Sequence, residues 1–555
     1  MRSRRSIALW SVLLLAAGGG ALVEGQVTFD RLLRAEREPH NWLTYSGTLA
    51  GWRYSPLTEI TPANVRDLEL QWVLQTRAPA EPAEKFEATP LVVDGVMYTV
   101  LAPNHAAALD AATGRMFWLY SPTLSPLARV CCGRVNRGLA ILGDTLFMGT
   151  IDGRLIALDA KTGKPIWERS IADPALGYSF TLAPLVVKDK VIIGTSGGEY
   201  GIRGFLAAFD AATGREIWRF HTIPAPGEPG HETWTDPAGA AWKTGGGPVW
   251  VTGSYDPDLN LTYWGTGNPG PDWNGDPRPG DNLYTDSVIA LDADTGRLRW
   301  HFQFTPHDEF DYDATQVPVL ADITWQGTPR KVLLSANRNG FWYVLDRASG
   351  QFLQGRPFTK VTWADGLDDR GRPRRRLSPT AEGTLVYPNN QGATNWYPPS
   401  YSPRTGLFYV PAWMETFSRY FKAPVEYKEG AQYVGRFPTM SFPALRAPVG
   451  AVNQRLPEDG YGAILALDPR TGERRWEFKM VDVTDSGVLS TASDLVFAGG
   501  REGYFFALDA RTGAPLWRTS VGGQVASGPM SYAVDGRQYV AVAAGSALFV
   551  YAVRR

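Results

Sequence analysis

One arrangement of apolar and polar positions recurs along the chain. A short apolar segment closes on Ala-Leu-Asp or Ala-Phe-Asp, a Thr-Gly pair follows, and the next segment carries a tryptophan. Ala108–Gly114 leads to Trp118, Ala157–Gly163 to Trp167 and Ala208–Gly214 to Trp218, and further copies end at Trp300, Trp476 and Trp517. A degraded copy spans Val344–Gly350, and the fragment Ser402–Gly406 precedes the strand-like Leu-Phe-Tyr-Val. The pattern predicts strand, turn, strand: Asp offers a side-chain acceptor, and Thr-Gly a turn with a position of positive φ. Adjacent copies lie 41 residues apart from Trp476 to Trp517 and 51 from Trp167 to Trp218, which suits one four-stranded propeller blade per repeat. A tryptophan at the same place in each blade can pack on the next blade's turn. Over residues 40–555 the full, degraded and missing copies predict an all-β propeller of about eight blades. The interval from Trp218 to Trp300 is expected to hold an insertion and a blade without its signature. The irregular stretches 351–392 and 416–460 are expected to serve as lids or docking surfaces.

Composition agrees with this pattern. The 555 residues include 59 glycines, 41 prolines and 20 tryptophans, which favours many short strands over helical bundles. A net charge of −1 gives no electrostatic basis for binding nucleic acid. The run Arg370–Arg376 contains five arginines and reads as a solvated loop, or alternatively as a docking patch for an acidic partner. At the N-terminus, Arg2, Arg4 and Arg5 precede an apolar run from Ile7 to Ala17. This predicts a secretory signal over residues 1–25, cut near Ala21–Gly25, with a weak twin-arginine flavour and an uncleaved anchor as the alternative. Residues 26–555 are then expected to form one exported propeller domain with no stable membrane span in the mature form.

The two cysteines are neighbours, Cys131 and Cys132. That excludes a disulfide framework, a four-cysteine zinc site and a CxxCH haem attachment. Six histidines without a cluster argue against a transition-metal site. Adjacent cysteines in an exported protein can close only a strained ring, a feature that tends to occur at functional sites; two unpaired thiols are the alternative.

The segment Cys131-Cys132-x-x-Val135-Asn136-Arg137-Gly138 brings a family into view. So do Ser196-Gly-Gly-Glu199, Gly245-Gly-Gly247 with Trp250, and Gly265-Thr-Gly-Asn268. Pro306-His-Asp-Glu-Phe-Asp311 and Asn337-Arg-Asn-Gly340 complete the set. Across nearly the whole mature chain the sequence resembles the quinoprotein alcohol dehydrogenases of the methanol and ethanol dehydrogenase type. The resemblance implies an eight-bladed propeller with pyrroloquinoline quinone (PQQ) on its axis and a metal ion beside it. PQQ is a flat, tricarboxylated ortho-quinone, so it needs an aromatic floor, cations and a Lewis acid. By this resemblance Trp250 is the floor and the Cys131–Cys132 ring the ceiling. Glu87, Arg137, Thr181 and Ser196 hold the rim, Gly197 and Gly198 allow close backbone approach, and Asn395 and Trp396 are further rim contacts. Read alone, Trp250 is equally a core or girdle tryptophan, and Glu87 and Thr181 are equally ordinary strand positions.

For the metal, Glu199 and Asn268 match the family's ligands and Asp311 its catalytic carboxylate. The implied reaction oxidises a primary alcohol to an aldehyde: Asp311 removes the hydroxyl proton and hydride passes to the metal-activated quinone. Arg338 is placed within hydrogen-bonding reach of Asp311 or the cofactor. Asp311-Tyr-Asp313 puts two carboxylates on one face of an extended segment. Lanthanide-dependent members of the family carry this extra Asp, so a lanthanide is favoured over Ca²⁺ unless Asp313 points elsewhere, as the Asp-x-Asp of related sugar-oxidising quinoproteins allows. One departure is Gly133, where the family usually has an acidic residue. Without a haem motif, electrons are expected to leave through a soluble cytochrome c or similar carrier in the periplasm. A homodimer is one assembly the resemblance leaves open. The competing readings are a PQQ sugar or polyol dehydrogenase and a non-catalytic propeller scaffold, and the latter leaves the cysteine pair and the acidic cluster unexplained.

Overall fold

Each repeat folds as its side chains dictate. In the turn after Asp110, the Asp110 carboxylate accepts hydrogen bonds from the backbone N–H groups of Ala112 and Thr113, at 3.0 and 2.9 Å. Gly114 follows at φ +73° and bonds back to the Asp110 carbonyl. The chain thereby reverses into a strand that delivers Trp118 opposite Ala108. In the computed structural model, which describes residues 26–76, 85–440 and 459–555, this unit recurs as eight blade sheets, seven of four antiparallel strands and one to which Tyr54–Ser55 adds a fifth, parallel strand. The first blade comprises Leu91–Val93, Val96–Leu101, His105–Asp110 and Met116–Tyr120. Its first strand is buried throughout, whereas its fourth is largely exposed at the rim. One short α-helix, Phe29–Leu33, precedes the blades. Among the described residues no helix is long and apolar enough to cross a membrane. The signal segment 1–25 lies outside the described residues, as do 77–84 and 441–458.

The tryptophans tie neighbouring blades together. Trp118 Nε1 donates to the Ala160 carbonyl of the second blade at 3.0 Å, and its ring lies on Gly163. A Cβ on Gly163 would come within 2.5 Å of that ring, and the residue sits at φ +69°, so glycine is needed on both counts. Trp167, Trp218, Trp300 and Trp476 repeat the contact on Ala211, Ala293, Arg347 and Ala510. Trp517 instead packs edge-on against Tyr551, with ring centroids 5.5 Å apart.

The ring closes with a strand from the other end of the chain. Leu68–Gln75 pairs antiparallel with Ala547–Val553 and supplies the outer strand of the last blade. Trp72 on that strand docks on Ala111 and Gly114 of the first blade, a copy of the contact that no Ala-Leu-Asp phrase announces.

Two sequence expectations need correction. The interval between Trp218 and Trp300 holds no extra blade: one sheet lies there, Ser254–Asp256 through Leu298–Gln303, and it ends in Trp300 itself. The blade without a docking tryptophan comes next, Val319–Trp325 through Phe352–Pro357. There Gln354 occupies the place opposite Val344, and its amide donates to Thr471 of the following blade at 2.7 Å. The Ser402–Gly406 fragment joins the first and second strands of its blade, and the strand Leu407–Met414 follows it as expected. The stretch 351–392 is not wholly irregular either, since it begins with the outer strand Phe352–Pro357. Farther on, Thr384–Val386 forms a small sheet with Ser418–Tyr420 and Thr439–Met440. The arginine run is partly tied down: Arg372 makes two hydrogen bonds to Asp281, at 2.7 and 2.9 Å.

Candidate active site

Two kinds of loop converge at one end of the ring. Connections entering a first strand bring Glu87, Cys131–Arg137, Thr181, Trp250, Asp311–Asp313 and Asn395–Trp396. Loops between second and third strands bring Ser196–Glu199, Asn268 and Arg338. Most of these residues line one cavity of about 250 Å³; Gly198 and Asn268 stand just behind its wall. The residues singled out from sequence are thus brought together.

Cys131 and Cys132 are disulfide-bonded to each other, which settles the alternative of free thiols. Gly133 follows at φ +109°, a conformation that an acidic residue would occupy only with strain. Cys132 Sγ lies 3.9 Å from Glu199 Oε1; a disulfide sulfur has no proton to donate, so this is a contact only.

One wall is a chain of polar groups. Arg137 forms a 2.8 Å ion pair with Glu87, although the angle leaves Glu87 Oε2 without a formed hydrogen bond. It donates to Thr181 Oγ1 at 3.0 Å, and Thr181 shares a 2.7 Å hydrogen bond with Ser196 Oγ. The guanidinium lies 4.8 Å from the Trp250 ring centroid and 4.6 Å from that of Trp396. Asn395 caps its own neighbour, accepting from Trp396 N at 2.8 Å. Glu87 and Thr181 are therefore partners of the cavity's arginine, not bystanders in a strand.

The opposite wall is acidic. Asp313 Oδ1 accepts from Asn268 N at 2.6 Å, and Oδ2 accepts from Trp250 Nε1 at 3.2 Å and from Arg338 at 2.6 Å. Arg338 also donates to Asp311 at 3.0 Å. Asp311 itself sits at φ +64°, a held conformation that aims its carboxylate. Burial raises Glu199 to about 7, with Asp313 adding to the rise. Burial also raises Asp311 well above its ordinary value and raises Asp313, against the pull of Arg338 on both. Burial alone would lower Arg338, but Asp311 and Asp313 outweigh it and raise it.

These groups fit a hard cation and a carboxylated planar cofactor. Asn268 Oδ1 is buried with no hydrogen-bond partner beside this acidic wall, and a Cβ on Gly198 would press on it at 3.1 Å. An unsatisfied amide oxygen among crowded carboxylates is an oxygen donor set lacking only a positive centre. Glu199, Asn268, Asp311 and Asp313 could hold the metal, and the Arg137 wall, Trp250 and the disulfide could hold the cofactor.

The sequence reading missed Lys85, Tyr397, Asp485 and Arg501, which line the same cavity. They sit in no recognisable phrase, and only the closing of the ring brings residues 85 and 485 together.

Comparison with known proteins agrees with this geometry. A profile of the PQQ family described as glucose/ethanol/alcohol dehydrogenase, beta-propeller domain, matches residues 42–362 and 372–540. The quinohemoprotein alcohol dehydrogenase ADH IIB of Pseudomonas putida is 42% identical, over 96% of this chain and 77% of its own length. The lanthanide-dependent methanol dehydrogenase of Methylacidiphilum fumariolicum (strain SolV) is 38% identical, over 96% of this chain and 89% of its own length. Among solved structures, a europium-containing methanol dehydrogenase superposes with a TM-score of 0.85 at 35% identity, covering 94% of this chain and all of its own.

Proposed function

The chain belongs to the PQQ-dependent alcohol dehydrogenase family, and from that premise we propose that it is a periplasmic, lanthanide-dependent dehydrogenase of primary alcohols that passes electrons to a separate cytochrome c. It is an oxidoreductase, and its cofactors are PQQ and a metal ion.

The observation that carries the choice of metal is Asp313, buried on the same wall as Asp311 and engaged through both oxygens. Glu199, Asp311, Asp313 and one cofactor carboxylate supply four negative charges. Set against the single Arg338 guanidinium, they leave three, which a trivalent ion neutralises and a divalent ion does not. The relatives named as lanthanide-dependent and europium-containing support the same reading.

When bound, PQQ supplies an ortho-quinone that accepts hydride, and the metal supplies Lewis acidity toward it. The protein's own work lies around that chemistry. Asp311 takes the proton of the substrate hydroxyl. Burial favours its protonated form, Arg338 works against burial, and a nearby cation would act in the same sense as Arg338. Arg338 also fixes the direction in which Asp311 points. Trp250 and the Cys131–Cys132 pair would hold the flat cofactor, and the Glu87–Arg137–Thr181–Ser196 chain would offer donors to its carboxylates. The relative named 1-butanol dehydrogenase (cytochrome c), from Thauera butanivorans and 38% identical, supports a cytochrome c as electron acceptor. The arginine-led apolar segment at residues 1–17 supports export.

The test is reconstitution. Apo-protein receives PQQ with either La³⁺ or Ca²⁺, and dye reduction is followed with methanol, ethanol and longer alcohols. Activity with La³⁺ that is lost in Asp313→Ala is the expected result. Activity with Ca²⁺ alone overturns the lanthanide reading. Activity with sugars but no primary alcohol overturns the substrate class.

A further inference from the structure

A second charged group lies at the Arg137 end of the cavity. Asp485 is buried, its side chain only 1% exposed, and it accepts from Lys85 Nζ at 3.0 Å. It also accepts from Arg501, through Nε at 3.2 Å and Nη2 at 3.0 Å, and from the Gln524 amide. Arg501 is held on its other side by the Trp413 ring, 5.0 Å from the guanidinium carbon. Trp413 is fixed in turn by its indole hydrogen bond to the Thr484 carbonyl at 2.6 Å. Burial would raise Asp485, but Arg501 and Lys85 overcome it and hold the carboxyl well below the usual range.

Charge balance distinguishes this group from its neighbour. Arg137 and Glu87 form a one-to-one pair. Lys85 and Arg501 are two cations set on one carboxylate, and among the described residues neither has another carboxylate within ion-pair distance. Asp482 adds a longer-range negative field at Arg501 but does not line the cavity. A surplus positive charge in a partly desolvated wall favours an incoming anion. Lys85 is the more accessible member: its side chain is 31% exposed, against 11% for Arg501. The opposite wall, with Glu199, Asp311 and Asp313, repels the same anion.

We propose that Lys85 and Arg501, fixed by Asp485, form a second carboxylate-binding group in the cavity that receives a carboxylate of the cofactor and sets which end of it faces the acidic wall. The Asp485 carboxylate is a positioning group: it aligns the two cations and leaves their remaining N–H groups for the ligand. This rests on the reading that the cavity holds PQQ.

The test measures PQQ binding to metal-free apo-protein by quenching of tryptophan fluorescence, with the apo-protein melting temperature read in parallel. The variants are Lys85→Gln and Lys85→Arg. Lys85 is half-exposed at the cavity wall, so both are expected to melt like the wild type. Lys85→Gln is expected to weaken Kd by about tenfold, and Lys85→Arg to restore most of that loss. Equal Kd values for Lys85→Gln and wild type overturn the proposal. Equal losses in Lys85→Gln and Lys85→Arg also overturn it, because shape rather than charge would then be at stake. Failure of the wild type to bind PQQ overturns it together with the cofactor reading, and that result is distinct from the other two.

Discussion

Arg338 and Asp313 are joined by a 2.6 Å hydrogen bond between charged groups, both with side chains 5% exposed. The same guanidinium reaches Asp311 at 3.0 Å. One arginine thus holds both carboxylates of the Asp-Tyr-Asp segment, and neither can turn away without leaving a buried cation short of a partner.

Asp313 therefore bears on the metal and on Arg338 together. Asp313→Ala removes one negative charge from the acidic wall. Its expected effect is a loss of affinity for La³⁺ of about 10- to 100-fold, with a smaller loss for Ca²⁺. Competition between the two ions in PQQ-loaded protein, followed by the cofactor's absorbance, gives the ratio. An unchanged ratio removes Asp313 from the metal.

Asp311→Asn keeps the size of the side chain and an acceptor for Arg338 but abolishes the base. Turnover is expected to fall by about 10² to 10⁴-fold, with PQQ and metal still bound. A variant that retains wild-type kcat would show that another group takes the proton.

The blade-to-blade contact is expected to dominate global stability. Trp167→Ala removes a ring that covers Gly214 and donates to Ala211. It should cost about 3–5 kcal/mol in denaturant unfolding, with the cavity residues otherwise intact. Gln354→Ala, at the place where the contact is only an amide, should cost much less. Equal costs would mean that the tryptophan ring adds nothing beyond its hydrogen bond.

His221 gives the protein an acid-side slope away from the cavity. Burial lowers it to about 4, and Arg203 and Arg219 push in the same direction. The folded protein keeps this imidazole neutral while the unfolded chain protonates it near its ordinary value of 6.5. Its contribution to stability is thus intact above pH 6.5 and is lost as pH falls toward about 4. His221→Gln should flatten the melting-temperature profile across that window and leave it unchanged at pH 8. A profile parallel to wild type would rule out the shift.

The parts of the fold legible in sequence were those with a local phrase. Asp110 through Trp118 contains its own acceptor, turn and docking ring, so strand, reversal and blade period could all be read. Trp72 carries no such phrase, because the other three strands of its blade lie at the far end of the chain. Gln354 hid its blade by replacing a ring with an amide. The acidic wall could be read because Asp311 and Asp313 sit two residues apart in an extended segment. Lys85, Asp485 and Arg501 could not, since their relation exists only after the ring has formed. Asn268 was matched by motif, but its bare oxygen became visible only once its surroundings were in place.

The pairing of Leu68–Gln75 with Ala547–Val553 also sets a schedule. The strand made early must wait, with Trp72 undocked, for residues more than 470 positions later. Until they arrive the circle is an open arc with two raw ends, and its long-range closure is the slow kind of event. During that interval the half-built protein has no finished cavity for a cofactor to enter. Loading must therefore follow synthesis of Ala547–Val553, and a cut that removes only that strand should spare most blades while leaving the protein without a stable holo form.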